Sequence, residues 1–395
     1  MLKLSVGVSV MKKVFFKMNI PLLILMIVYS VFGLLMIFSA SSVAAVLRYD
    51  VSTNYFFVRQ LIWMVLGYII GIVIVHFPTK IYRFFSKIAM FGVLFLLVFL
   101  FFAGKIAGGA QSWYDLGFMN FQPTELAKVI LIIYLAVYYH RIASKKKITF
   151  LNMFFPLIIA AIVFVLIAMQ PDFGGAFIVL SITALIFFSL PMGKVHKNKV
   201  YKLAVAGLVV LGIAVFCFGK SILSSYQVSR ILNFTEPCQR YADDTGYQVC
   251  NGYIAIHNGG LFGVGLGEST QKYLYLPEAH TDFIFPIICE ELGLIVGIIT
   301  VLGYFVMLFI VLSIAKETDN LRNSILAYGV FAYLLAHILI NLLGVLGLIP
   351  LTGVPLPFLS YGGSYSLSVI ASLFIVQRVN IENKIDKQRR KIESL

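Results

Sequence analysis

The stretch TDFIFPIICEELGLIVGIITVLGYFVMLFIVLSIA, residues 281–315, decides the fold. Its three acids, Asp282, Glu290 and Glu291, all lie in its first third. From Leu292 to Ala315 no residue is charged. About 20 apolar residues suffice for a helix to cross a bilayer, so this segment is predicted to span one. It is longer than a simple span, and is therefore expected to tilt or break. Comparable runs lie near 20–46, 56–77, 84–104, 124–141, 150–169, 172–191, 200–219, 322–349 and 359–379. The chain is 60% hydrophobic and 12% charged, with a mean hydropathy of +0.95. Soluble domains carry about 25% charged residues. No long polar stretch is left over for a second domain. The expectation is one all-α membrane domain over residues 1–395, a polytopic bundle of about ten transmembrane helices with short tails at 1–18 and 380–395.

Charge sets the orientation. The N-terminus, the loops near 78–87, 141–149, 192–202 and 315–322, and the C-terminal tail together with Arg378 just before it hold 23 of the 31 Lys and Arg. The same segments hold only 5 of the 17 acids. Basic residues favour the cytoplasmic side. Both termini are therefore expected in the cytoplasm, with a large extracellular loop, about 220–280, between the seventh and eighth helices. The net charge of +14 is read as a topology signal. Its spread over six short segments argues against a nucleic-acid surface. Lys12, Lys13 and Lys17 precede an apolar run too long for a signal core, so a retained first helix is expected.

The same outer loop contains Cys238 and Cys250. That compartment permits disulfides, and a bridge between them would close a short loop; two free thiols is the alternative. No cysteine spacing suggests zinc. GVGLG at 263–267 follows no strand, so it is read as a loop with close backbone approaches and not as a dinucleotide site.

Ionisable groups within spans mark functional sites by default, because inserting each costs roughly 2.5–3.5 kcal/mol. Three groups qualify. In PTELAK, 123–128, Glu125 and Lys128 are three apart and share a helix face. They are either a self-neutralising pair or the lining of a polar cavity in which Lys128 meets a phosphate. In LPEAHTDFIF, 276–285, Glu278, His280 and Asp282 cluster where an apolar run begins. Thr281 or Asp282 could merely cap the helix. A half-buried Asp282 could instead act as a general base. Glu290 or Glu291 is expected to face the interior and bond another helix. In QPDFGGA, 170–176, Asp172 suits a structural role at a tight reversal. His337 and Asn341, four apart, read as a helix–helix hydrogen-bonding face.

Taken together, FQPTELAK at 121–128, QPDFGGA at 170–176, GYQVCNGYIAIHNGGLFGVGLG at 246–267, YLPEAHTDFIF at 275–285 with EELG at 290–293, and PLPFLSYGGS at 355–364 resemble the SEDS family, which comprises FtsW, RodA and sporulation relatives. The resemblance covers nearly the whole chain. STQKYLYLPEAHTDF and the NGG at 258–260 look more like the FtsW branch than the RodA branch. The resemblance implies a peptidoglycan glycosyltransferase polymerising lipid II on the outer face of the bacterial plasma membrane, at the division septum. It implies inverting displacement of undecaprenyl pyrophosphate from the lipid-linked glycan, and a class B penicillin-binding protein among other division partners. By the same resemblance, Asp282 is catalytic, and Glu125, Lys128, Arg59, Arg230, Gln248, Lys272 and Trp113 contact substrate. Many members carry an arginine where this chain has Ser112. No metal-ligand set is evident, although a divalent cation (Mg or Mn) could assist. A lipid II flippase and a non-catalytic division scaffold are the competing readings. Charged groups gathered on one side, with no inverted repeat, weigh against the flippase.

Overall fold

A computed structural model describes residues 15–107, 110–115, 117, 120–145, 149–191, 198, 202, 236–239 and 244–394. Ten helices longer than one turn are labelled in chain order among these residues. They are α1 (Ile20–Leu47), α2 (Tyr55–His76), α3 (Tyr82–Ala103), α4 (Pro123–Ser144) and α5 (Phe150–Ala168). They continue with α6 (Phe173–Ser189), α7 (Asp244–Gly259), α8 (Ile284–Lys316), α9 (Leu321–Val345) and α10 (Gly363–Glu393). Eight of the described helices are long and apolar enough to cross a membrane, and α6 is a shorter apolar one. α7 belongs to the loop expected outside. The span expected at 200–219, and Arg230, lie outside the described residues.

Local chemistry explains where helices begin. Asn19 caps α1 by accepting from Leu22 N (3.0 Å), and Asp172 caps α6 by accepting from Gly175 N (2.8 Å). The reading of Asp172 as structural matches this geometry. Pro123 opens α4, where a missing N–H costs nothing. A small antiparallel sheet of β1 (Lys105–Ala107), β2 (Ala110–Asp115) and β3 (Asn120–Phe121) bridges α3 and α4.

Burial sorts the helices into layers. The membrane-crossing window of α10 is 94% buried and that of α9 78%, against 28% for α3. α9 and α10 therefore form the centre, while α3 faces outward. α2 packs tightly on α10, where Gly71 lies so close to the Phe374 ring that any side chain would collide with it. Small residues let membrane helices approach in this way. The described termini meet at one end, where Lys17 Nζ donates to Gln388 Oε1 (3.0 Å) and Asn380 Nδ2 donates to Lys17 O (2.9 Å).

Of the tilt or break expected in the long eighth stretch, the structure shows a break, at Gly293, whose φ of 87° and ψ of 163° interrupt α8. The loop at 260–265 fills the gap. Val264 N and Gly265 N donate to the carbonyls of Glu290 (2.9 Å) and Glu291 (3.0 Å). In return, Leu294 N and Ile295 N donate to the carbonyls of Gly260 (2.9 Å) and Leu261 (3.3 Å). Four backbone groups freed by the break thus regain partners, as a lipid environment requires. Gly263, at φ 84°, and Gly293 face each other here, and a side chain on either would strike the other's strand.

Candidate active site

α9 organises the site. Tyr333, His337 and Asn341 stand one turn apart on one face, roughly 6 Å per step along the axis. Each reaches a different element. Tyr333 OH donates to Glu125 Oε2 (3.2 Å). His337 Nε2 lies 3.3 Å from Lys128 Nζ, and its Nδ1 lies 3.3 Å from Pro355 O. Since a carbonyl only accepts, Nδ1 carries the proton and Nε2 accepts from the lysine. Asn341 Nδ2 donates to the carbonyls of Asp282 (2.8 Å) and Val354 (2.8 Å). The sequence reading of His337 and Asn341 as a hydrogen-bonding face therefore matches the structure. Tyr333 was not singled out, because one aromatic in an apolar span reads as core.

Glu125 and Lys128 form a buried pair at 2.7 Å, with the lysine side chain 1% exposed. A lysine has three N–H donors. Lys128 uses two, on Glu125 and His337. Among the described residues the buried Tyr365 hydroxyl and Asn341 Oδ1 have no hydrogen-bond partner, and the Tyr365 ring stacks on His337 at 4.7 Å. This cluster keeps unused hydrogen-bonding capacity.

Asp282 is buried, and its Oδ1 accepts from Thr281 Oγ1 (3.0 Å). The N-cap of α8 is Phe283, so neither Thr281 nor Asp282 holds the capping position. Two residues before Asp282, the His280 ring packs against Phe56 of the second helix (4.5 Å). Arg59 lies over the Tyr55 ring at 4.3 Å and hydrogen-bonds Tyr361. Tyr361 N donates to His280 O (2.8 Å). Gln60 ties this corner to α10 through Gly362 N (3.1 Å) and Ser366 Oγ (2.7 Å).

Lys272 is placed differently from the expectation of a substrate cation. Its Nζ pairs with Glu291 (3.0 Å), lies 3.4 Å from Ser39 Oγ and donates to Gly267 O. All three donors are taken. Ser39 also bonds both oxygens of Glu291, at 2.6 and 2.7 Å. Glu290 beside it accepts from Ser269 Oγ, Thr270 Oγ1 (2.9 Å), Thr270 N (3.2 Å), Gln271 N (3.3 Å) and Asn258 Nδ2 (3.4 Å). The two acids clamp the segment leading to Asp282 onto α8. Adjacent acids in an apolar span signal burial, but not this loop as their partner.

Trp113 is half-buried on β2, opposite Lys105 on β1. Gln248 is half-buried on α7. Among the described residues, no hydrogen bond joins either to the cluster around Lys128. Cys238 and Cys250 are bridged, as their shared loop suggested.

With these features in place, the comparisons are direct. A model of the FtsW/RodA/SpoVE family, described as cell cycle proteins, matches residues 19–385. The chain belongs to this family, and it is a multi-pass membrane protein. It is 38% identical over 393 residues to a probable peptidoglycan glycosyltransferase FtsW of Bacillus subtilis, covering 98% of this chain and 96% of the relative. It is 36% identical over 359 residues to the protein of the same description in Coxiella burnetii, covering 89% and 93%. Among solved structures, it resembles a chain of a peptidoglycan synthase complex that coordinates polymerization and crosslinking. There the TM-score is 0.73 at 24% identity, over 93% of this chain and 98% of that one. The rod shape determining protein RodA of Thermus thermophilus gives 0.63 at 24% identity, over 92% and 96%. At such identities the structural likeness is one of fold.

Proposed function

We propose that this chain is a peptidoglycan glycosyltransferase that polymerises lipid II on the outer face of the plasma membrane during division. The observation that carries the reading is the line of Tyr333, His337 and Asn341, which links Glu125 and Lys128 to the Asp282 backbone. Names of relatives 36–38% identical over most of the chain support it. So does the orientation expected from the charge distribution, in which this site would lie on the outer side.

The reaction needs one proton taken and one leaving group steadied. A sugar hydroxyl of one lipid-linked saccharide attacks the anomeric carbon of another. The bond from that carbon to the pyrophosphate breaks, and configuration inverts. Asp282 accepts the hydroxyl proton, as a carboxylate base does when inverting glycosidases activate water. Lys128 turns its third N–H to the departing pyrophosphate, while Glu125 and His337 hold the ammonium in place. Arg59 is a second cation at the rim. Lys272, with all donors occupied, is a structural tie in this reading. Arg230, Gln248 and Trp113 remain proposed substrate contacts from the resemblance. Among the described residues, no group of three or more His, Cys, Asp or Glu is gathered. A magnesium or manganese ion would thus depend on the pyrophosphate's own oxygens for ligands, and no step above uses one. The partner is proposed to be a class B penicillin-binding protein at the septum.

Purified protein in membranes, given lipid II and such a partner, should yield glycan polymer. Translocation of lipid II without polymer would establish the flippase instead, and neither outcome would leave the scaffold.

A further inference from the structure

A cavity of about 310 Å³ opens where the last turn of α1 meets the segment 272–280. Ala44, Leu47, Leu274 and Leu276 form its apolar wall, and Arg48, Glu278 and His280 bring polar groups to it. Lys272 also lines it, but its donors are all in use.

Two of the lining groups have nitrogen atoms without hydrogen-bond partners among the described residues. Among the described residues the Arg48 guanidinium makes no ion pair, and it lies 5.6 Å from the centre of the Tyr49 ring. The His280 ring is fixed between Phe56 (4.5 Å) and Tyr361 (5.7 Å). Its residue is only 4% exposed, and the cavity is where its polar edge finds room. Burial pushes its pKa down to about 4, so at neutral pH the ring is uncharged and offers one N–H donor.

The rim indicates depth. Tyr49, Tyr273 and Tyr275 are exposed around it, as are Leu47 and Leu274. Tyrosines of this kind sit at the level of lipid headgroups, and exposed leucines beside them would meet acyl chains. Glu278 holds a left-handed backbone at φ 57°, a conformation costing about 1–3 kcal/mol and typical of ligand clamps.

We propose that this cavity binds the phosphodiester of a membrane phospholipid headgroup, with Arg48 as its cation and His280 as a neutral donor. A guanidinium matches phosphate oxygens in a bidentate fork. The charge count selects the headgroup. Arg48 is the unpaired cation lining the cavity, and Glu278 stands beside it as an anion. One added negative charge is tolerated there better than the two or more of a pyrophosphate. The assignment is independent of the glycosyltransferase reading.

The test uses the intact chain purified in detergent and native mass spectrometry of retained lipid. Phosphatidylglycerol, undecaprenyl pyrophosphate and inorganic phosphate are supplied as separate probes. The wild type should retain phosphatidylglycerol. Arg48→Gln should lower that retention about tenfold, the loss of one charge-assisted contact, and Arg48→Lys should restore part of it. Arg48 is exposed at a helix end, so the variant should keep its melting temperature. Stronger Arg48-dependent retention of undecaprenyl pyrophosphate than of phosphatidylglycerol would overturn the phosphodiester assignment. Equal retention of every probe by wild type and Arg48→Gln would overturn the site itself.

Discussion

Two buried lysine–glutamate pairs stand among the described residues, and they are built for different ends. Lys128 and Glu125, at 2.7 Å, share a face of α4. Lys272 and Glu291, at 3.0 Å, join the outer loop to α8. Burial and separation hardly distinguish them. The count of used donors does: Lys128 has one N–H left over, while Lys272 has none. A buried ion pair is weak evidence of stabilisation in itself, because desolvation offsets the attraction. What a pair can do for a ligand depends on the capacity it leaves unused.

The largest effect should fall beside the first pair. Asp282→Asn keeps the size of the side chain but removes the carboxylate proposed as the base. Polymerisation should drop by about a hundredfold to ten-thousandfold, while insertion and partner binding persist. Near-normal polymer yield from that variant would move the base elsewhere, to Glu125 or Glu278.

Paired substitutions test the comparison itself. Removing one partner of a buried pair costs about 3–5 kcal/mol, so Lys128→Met and Lys272→Met should both melt early. Adding Glu125→Gln to the first, or Glu291→Gln to the second, should recover most of that stability. Activity should then separate them. The Lys272/Glu291 double variant should regain polymerisation along with its fold. The Lys128/Glu125 double variant should stay impaired by about a hundredfold. If both doubles recover activity equally, the distinction drawn from donor counts fails.

The clamp side can be loosened covalently. The Cys238–Cys250 bridge spans a sequence separation of 12, and closing a loop of that order stabilises by about 3 kcal/mol in the chain-entropy account. Cys238→Ser with Cys250→Ser should lower the melting temperature by several degrees while leaving the Lys128 side chemically intact. The residual folded protein should therefore polymerise at a normal specific rate.

The effect smallest near neutral pH concerns His280, which lies between the two regions. Its pKa falls from the ordinary 6.5 to about 4 in the folded chain, chiefly through desolvation. As pH drops below 6.5, the unfolded chain binds a proton that the folded one still refuses. Stability is thus lost progressively from about pH 6.5 down to about pH 4. The melting temperature of wild type should decline across that window more steeply than that of His280→Asn. Parallel slopes would show that His280 titrates normally.

Much of this architecture was legible from residue order. Hydropathy located the spans because lipid demands continuous apolar helices, and the excess length of 281–315 announced its break. The site was legible where chemistry contrasted with surroundings, as at Glu125, Lys128 and Asp282. It was illegible where partners are remote in sequence. Ser39 and Glu291 are 252 residues apart, and no local pattern joins them. Tyr333 was hidden for the opposite reason: its hydroxyl sits on a ring that suits any apolar helix. The saturation of Lys272 could not be read either, since one of its acceptors is a backbone carbonyl, which every residue has.

The interruption at Gly293 has a mechanical side. Residues 294–316 form a rod of about 34 Å, long enough to cross the bilayer alone. The shorter rod, Ile284–Leu292, is held through the loop's hydrogen bonds and is not needed for crossing. Thicker or thinner membranes make long helices tilt to accommodate hydrophobic mismatch. Here the long rod can tilt while the short one, with Asp282 just ahead of its first turn, stays tied to α9 through the Asn341–Asp282 hydrogen bond. On the proposed reaction, such a joint would insulate the chemistry from the thickness of the membrane around it.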